Sequence, residues 1–268
     1  MSEPTQSLPA RLTSMLRRRP RGLFTDVDGT ISPIAATPES AILLPGARAA
    51  LERALTVFDV VAAISGRSVD DLAGMVNIPG MLLIGNHGLE RREAGTSVLD
   101  EAARKWIASV AAALDAAEHA LTPHIAGMRV ERKGVTGSIH LRQTADPVAA
   151  EATALSVLMP LAEAHGLHIT RGRMVLEVRP PVSIDKGTAV ATVVRERGLR
   201  SVVYLGDDMT DLDAFRALRQ LDTEDACEAF LVAVASAEGP VALWAEASLV
   251  LDSVESTVRF LDELSTMP

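Results

Sequence analysis

The chain has 268 residues, 48% of them apolar and 23% charged, which is enough apolar material to bury the core of one large or two modest domains. A formal net charge of −9 argues against a nucleic-acid or anionic-membrane partner, which would require a basic surface, and favours a small-molecule ligand. The single Cys227 can neither close an intrachain disulfide nor build a cysteine-rich metal centre, so a metal would have to be held by carboxylates or histidines.

In chain order, residues 1–6 are polar, no cleavable apolar core follows them, and no apolar run reaches the roughly 18 residues of a bilayer span. A cytoplasmic protein without membrane attachment is expected. The run Arg17-Arg18-Arg19-Pro20-Arg21 reads as a solvated flank of the first strand. Short runs rich in Val, Ile and Leu then predict strands at 22–26, 59–64, 81–84, 201–205, 230–234 and 249–251, with helical patterns between them, as in a parallel sheet covered on both faces. Ser68 with Asp71 three residues on marks a helix start, and Gly198 a helix end. Between about 106 and 180 the order changes to helix-strand-strand twice over, an α+β insert. The expected organisation is an α/β core of residues 1–105 and 181–268 interrupted by an inserted domain of residues 106–180.

Four predicted strands end in polar or glycine-rich clusters: Asp26-Val27-Asp28-Gly29-Thr30, Ser65-Gly66-Arg67, Gly85-Asn86-His87-Gly88 and Gly206-Asp207-Asp208. Ligands of open α/β sheets bind outside the carboxyl ends of the strands, so these clusters are expected to converge. Asp26 and Asp28 alone read equally well as an acidic turn. The second acidic cluster, Asp207-Asp208-Met209-Thr210-Asp211, changes that balance, because capping of the following helix by Thr210 or Asp211 explains one carboxylate at most. Together the clusters form an oxygen-only donor set suited to Mg²⁺ and a bridged phosphate. A carboxylate nucleophile beside a second acid allows hydrolysis through an acyl phosphate. Ser65, the Gly66 N–H and Lys186 supply neutral donors and a compact positive charge for a phosphoryl group.

The ordered set Asp26-x-Asp28-Gly29-Thr30, Ser65, Lys186 and Gly206-Asp207-Asp208-x-Thr210-Asp211 resembles the four motifs of haloacid dehalogenase-like hydrolases. That resemblance implies a Rossmann-like core with Asp26 as nucleophile and Asp28 as acid/base. It further implies Mg²⁺ held by Asp26, the Asp28 carbonyl and Asp207, with Asp211 in support, and a phosphoryl group bound by Ser65 and Lys186. The insert is similar to the αββαββ cap of the type IIB branch. Within that branch the chain resembles the trehalose-6-phosphate phosphatase family, through Thr30-x-Ser32-Pro33-Ile34, Gly85-Asn86-His87-Gly88-x-Glu90, Val130-Glu131-x-Lys133, His140-x-Arg142 and Leu176-Glu177-Val178-Arg179-Pro180. Substrate binding by Ser65, Gly66, Arg67, Asn86, His87, Glu131, Lys133, Glu177 and Arg179 is what this resemblance implies. Leu212 and Leu141 depart from the family pattern, where Glu and an aromatic residue are usual. Read as residues alone, Glu131 and Lys133 also suit an exposed cross-strand charge pair, and His140 a structural position. The expected activity is hydrolysis of trehalose 6-phosphate by a monomer. The alternatives are another type IIB phosphatase acting on mannosyl-3-phosphoglycerate or sucrose 6-phosphate, a sugar phosphomutase, or a silent sugar-phosphate sensor.

Overall fold

A computed structural model describes residues 8–236 and 239–267, so the polar segment 1–6 lies outside the described residues. In chain order the strands are β1 (Arg21–Thr25), β2 (Val60–Ile64), β3 (Leu82–Gly85), β4 (Glu90–Glu93), β5 (Thr96–Leu99), β6 (Arg129–Arg132), β7 (Gly137–His140), β8 (His168–Gly172), β9 (Val175–Arg179), β10 (Ser201–Gly206), β11 (Glu228–Val234) and β12 (Leu249–Leu251). The chain divides into two compact units, Met1–Ser97 with Ile184–Pro268, and Val98–Ser183.

The first unit is built on a sheet of order β12-β11-β10-β1-β2-β3-β4-β5. Pairing is parallel from β12 to β3 and antiparallel between β3 and β4. The six parallel strands lie within two residues of their expected positions. Except in the short edge strand β12, their near-continuous apolar character follows from burial on both faces, because alternate residues enter different cores. Leu23, Val203 and Leu205 pack in one core with helices Ala47–Val57 and Val254–Ser265. Phe24, Val202 and Tyr204 pack in the other with helices Lys186–Arg197 and Met209–Thr223. Strand β4 has no counterpart in the sequence reading, since its Glu-Arg-Arg-Glu sequence is half-exposed and carries no apolar alternation to betray it.

Two features of this unit fix the site. Successive parallel strands run outward from β1 to β3 on one side, whereas β10 to β12 extend from the other side of β1, so the strand order reverses between β1 and β10. Crevices of α/β sheets form at such a switch point. The register pairs Thr25 with Leu205, and the Asp26 N–H donates to the Leu205 carbonyl at 2.8 Å, which brings the residues following β1 and β10 side by side. The basic flank Arg17–Arg19 is exposed, as expected of a solvated flank, with Arg18 paired to Glu228 and Arg19 to Asp59 at 3.2 Å each, while Arg21 is buried and donates to the Leu16 carbonyl at 3.0 Å.

The second unit carries helices Ile107–Leu121 and Pro147–His165 and an antiparallel sheet of order β6-β7-β9-β8. Ile139, Leu176 and Val178 on one sheet face join Val110, Leu114, Ala154 and Leu158 of the helices in a separate apolar core. Asp146 caps the second helix by accepting from the Val148 and Ala149 N–H groups, with Pro147 in the first turn and left-handed Gly166 at the end. No helix among the described residues is long and apolar enough to cross a membrane.

Candidate active site

The loop after β1 is wound around one carbonyl. Val27 O accepts from the N–H groups of Thr30, Ile31 and Ser32 at 3.2, 3.0 and 2.9 Å, and Gly29 sits at φ +91°, a conformation that favours glycine. A Cβ on Gly29 would collide with the Asp207 carboxylate, so this glycine is what lets the two acidic clusters approach. After β10 the turn enters helix Met209–Thr223. Its N-cap is Asp208, which accepts from Thr210 N–H at 2.8 Å and Asp211 N–H at 3.2 Å. The sequence reading placed the cap at Thr210 or Asp211; the structure moves it to Asp208 because the helix starts two to three residues earlier than such a cap implies, at Met209. Asp211 instead reaches back, with Oδ2 accepting from the Asp207 and Asp208 N–H groups at 2.9 and 3.1 Å.

Lys186, the first residue of its helix, is only 2% exposed and joins the clusters. Its ammonium donates to Asp26 Oδ1 and Asp211 Oδ1, both at 2.7 Å, with Asp208 Oδ1 at 4.0 Å. Burial alone would push this ammonium down, but Asp211 and Asp26 hold it well above the usual lysine value. Burial pushes the Asp26 carboxyl well up; Lys186 opposes this, while Asp211, Asp207 and Asp208 reinforce it. Asp208 is also driven up by burial, but Lys186 and the Thr210 hydrogen bonds outweigh that and bring it down to about 2.

Asp26, Asp207 and Asp211 are buried, and each offers an oxygen within 4.8 Å of the others. Three hard oxygen donors closing on one point fit a small divalent cation. The donors are not equivalent. Asp211 Oδ1 accepts from Lys186 and from the Tyr204 hydroxyl, while its Oδ2 takes two backbone N–H groups, which uses the four acceptor positions of a carboxylate. The Asp28 side chain is also committed elsewhere, to a fork of two bonds from Arg67 at 2.7 Å each. Asp26 and Asp207 therefore have the carboxylate oxygens best placed to face a cation.

The second and third clusters are stitched to each other by backbone. Asn86 N–H donates to Arg67 O at 2.7 Å, and His87 N–H donates to Ser65 O at 3.0 Å. Ser65 is buried, and its hydroxyl accepts from the Arg67 N–H at 3.2 Å. Asn86 and His87 hold φ of 48° and 56°, consecutive left-handed residues of the kind that gather at binding sites. His87 lies so close over Gly66 that a Cβ there would stand 2.5 Å from its Nε2. Asn86 hydrogen-bonds Glu90, whose carboxylate also accepts from Val69 N–H at 2.9 Å. Ser65, Gly66, Arg67, Asn86 and His87 thus all belong to the first unit, beside the strand ends that carry the aspartates.

In the second unit, Glu131, Lys133, His140 and Glu177 form their own cluster. Lys133 Nζ is 3.0 Å from Glu177 Oε1 and 3.9 Å from Glu131 Oε2, and His140 Nε2 is 2.7 Å from Glu131 Oε2. With 7%, 12% and 19% exposure for Lys133, Glu177 and Glu131, these side chains are not the exposed charge pair that strand alternation allowed. Arg179 stands half-buried at the end of β9, opposite His168. Leu141 and Leu212 are buried in the apolar cores of their own units.

A sequence model described as trehalose-phosphatase matches residues 24–244, a span that takes in all of these side chains. The chain belongs to the trehalose-phosphatase family. It is 35% identical over 222 residues to a trehalose-phosphate phosphatase of Mycobacterium leprae, covering 79% of this chain and 51% of that one. An uncharacterized glycosyl hydrolase of Mycobacterium tuberculosis is 38% identical over 218 residues, covering 78% of this chain and 16% of that protein. The chain thus spans from about a sixth to about half of these relatives. Its fold is that of the C-terminal domain of Candida albicans trehalose-6-phosphate phosphatase, with a TM-score of 0.77 at 23% identity over 98% of this chain and 99% of that one. Sequence reasoning missed the Arg67–Asp28 fork and Tyr204 in the first unit and the His140–Glu131 pair in the second. Only Tyr204 carried a signal, as a polar-tipped residue inside an otherwise apolar strand.

Proposed function

We propose that this chain is a Mg²⁺-dependent phosphatase that hydrolyses trehalose 6-phosphate through an aspartyl-phosphate. The observation that carries the reading is the Lys186 ammonium bound at once to Asp26 and Asp211, beside Asp207 and the Arg67-held Asp28. A buried carboxylate facing a dianionic phosphate is electrostatically forbidden without compensating positive charge. Lys186 supplies part of that charge. A Mg²⁺ ion bound by Asp26, Asp207 and the Asp28 carbonyl, with Asp211 as support, would supply the rest by neutralising phosphoryl oxygens.

Asp26 attacks phosphorus, forming the Asp26–phosphorus bond as the bond from phosphorus to the sugar oxygen breaks. Asp28 gives its proton to the departing sugar oxygen. Asp28 then takes a proton from a water molecule, whose oxygen displaces Asp26 and releases phosphate. Arg67 holds Asp28 beside the phosphoryl position and would release one Asp28 oxygen for that oxygen to carry the transferred proton, and Ser65 with the Gly66 N–H offers neutral donors to phosphoryl oxygens. Asn86 and His87 flank this position. In the insert, Glu131, Lys133, Glu177 and Arg179 provide acceptors and donors for sugar hydroxyls, which suits a disaccharide with many of each.

Phosphate release measured across a panel of sugar phosphates tests the substrate. Trehalose 6-phosphate is expected to give the highest Mg²⁺-dependent kcat/KM, and equal turnover of sucrose 6-phosphate, mannosyl-3-phosphoglycerate or a monosaccharide phosphate would remove the substrate assignment. Asp26→Asn is expected to be folded and inactive. Retained activity in that variant would remove the nucleophile.

A further inference from the structure

We propose that Tyr204 is a positioning residue of the phosphoryl site, its hydroxyl fixing Asp211 and, through Asp211, the placement of Lys186 against Asp26. The inference rests on the phosphatase reading but not on the identity of the sugar. Tyr204 lies in β10, paired with Phe24 of β1 and Leu231 of β11, two residues before the glycine that opens the acidic cluster. Its ring is fully buried and meets Phe215 edge-on, at 5.8 Å between centroids and 87° between planes. Phenylalanine would fill that position equally well, so the hydroxyl calls for a separate reason. A buried hydroxyl is costly unless it is bonded, and this one donates to Asp211 Oδ1 at 2.7 Å.

The accepting oxygen is the one that also receives Lys186 at 2.7 Å. With two backbone N–H groups on Oδ2, Asp211 is held by four donors and cannot rotate without losing one. Lys186 divides its protons between Asp211 Oδ1 and Asp26 Oδ1. Taking the Tyr204 hydroxyl away leaves Asp211 Oδ1 with the ammonium alone, which strengthens that bond at the expense of the bond to Asp26. The reacting carboxylate is then less well placed, and misplacement of about 1 Å is enough to cost on the order of 100-fold in rate.

The chain has a single tyrosine, so biosynthetic replacement with 3-fluorotyrosine labels this ring alone and gives one ¹⁹F resonance. With p-nitrophenyl phosphate as substrate, Tyr204→Phe is expected to lower kcat by roughly 10- to 100-fold with KM within about twofold. The 3-fluorotyrosine protein, which keeps the hydroxyl and the packing, is expected to retain kcat. Without turnover, MgCl₂ with inorganic phosphate is expected to shift the single resonance, and the shift should be lost in Lys186→Met. A folded Tyr204→Phe variant with unchanged kcat overturns the proposal, as does a resonance indifferent to MgCl₂ and phosphate. Should Tyr204→Phe fail to fold, the resonance decides alone. If trehalose 6-phosphate were not hydrolysed, only the substrate assignment would fall, since neither probe contains that sugar.

Discussion

Replacing Lys186 with Met removes a buried ammonium while keeping a side chain of similar length. The ammonium sits 2.7 Å from Asp26 and Asp211 oxygens, and the side chain is 2% exposed. At an effective dielectric of about 20, each such contact carries roughly 6 kcal/mol of gross attraction. Desolvation of the ions offsets most of this, at about several kcal/mol per ion, so the intact cluster gains little net stability. The variant is different, because it buries Asp26 and Asp211 together without their counter-charge, and breaking a buried pair in this way costs about 3–5 kcal/mol. Urea unfolding followed by circular dichroism in EDTA is expected to show that loss. Added MgCl₂ should return stability, by about 2.7 kcal/mol at 100-fold excess over its dissociation constant. A loss below about 1 kcal/mol in EDTA, the scale of an exposed ion pair, would refute the view that Lys186 holds these carboxylates together.

Three further predictions concern other parts of the molecule. Removing Arg67 and Asp28 singly and together in a double-mutant cycle should give a coupling of about 1–3 kcal/mol, because the fork is bidentate and Arg67 is 12% exposed; coupling indistinguishable from zero in urea unfolding would mean that the fork is not formed in solution. Ser138 is buried on β7 in register with Glu131 and Glu177, and its hydroxyl has no hydrogen-bond partner among the described residues. Ser138→Ala is therefore expected to raise stability by about 1 kcal/mol, whereas a fall of that size in the same assay would show a bonded hydroxyl. Burial pushes the Cys227 thiol up to about 12, with Asp222 and Glu228 adding to the rise. Iodoacetamide at pH 8 should leave the native protein unmodified and label it fully in urea, and rapid labelling of the native protein would contradict this.

What could be read in the sequence was what local chemistry announces. Strands buried on both faces appear as apolar runs, so β1, β2, β3, β10 and β11 were legible, as was the short apolar run of edge strand β12, and the acidic turns that follow β1 and β10 were legible with them. Strand β4 was not, since a half-exposed strand of Glu and Arg near the end of the sheet pairs through its backbone and leaves no apolar trace. The aspartates could be found because paired carboxylates at strand ends are hard to explain otherwise, and Lys186 because it opens a helix. The partnerships were beyond reach: nothing in spacing says that Arg67 turns onto Asp28, 39 residues away, or that His140 settles on Glu131. Such contacts depend on strand order and register, which a single sequence does not print.

The two units differ in what their polar groups are already doing, and this bears on how selectivity for the proposed sugar phosphate would arise. In the first unit, Lys186, Asp26 and Asp211 share so few oxygens that one added charge must rearrange them, which makes the cluster sensitive to any phosphoryl group whatever it is attached to. In the second unit, the Lys133–Glu177 and His140–Glu131 pairs satisfy one another. A ligand that engages these side chains must replace bonds already made, so a sugar offering one hydroxyl gains almost nothing by doing so. A ligand offering several at once replaces each bond with an equivalent one. One lacking a hydroxyl leaves a buried charged group unpaired, at about 1–3 kcal/mol or more for each. Pre-paired side chains thus penalise incomplete ligands more than they reward complete ones, and on that account the proposed phosphatase would owe its chemistry to the aspartates and its discrimination to the insert.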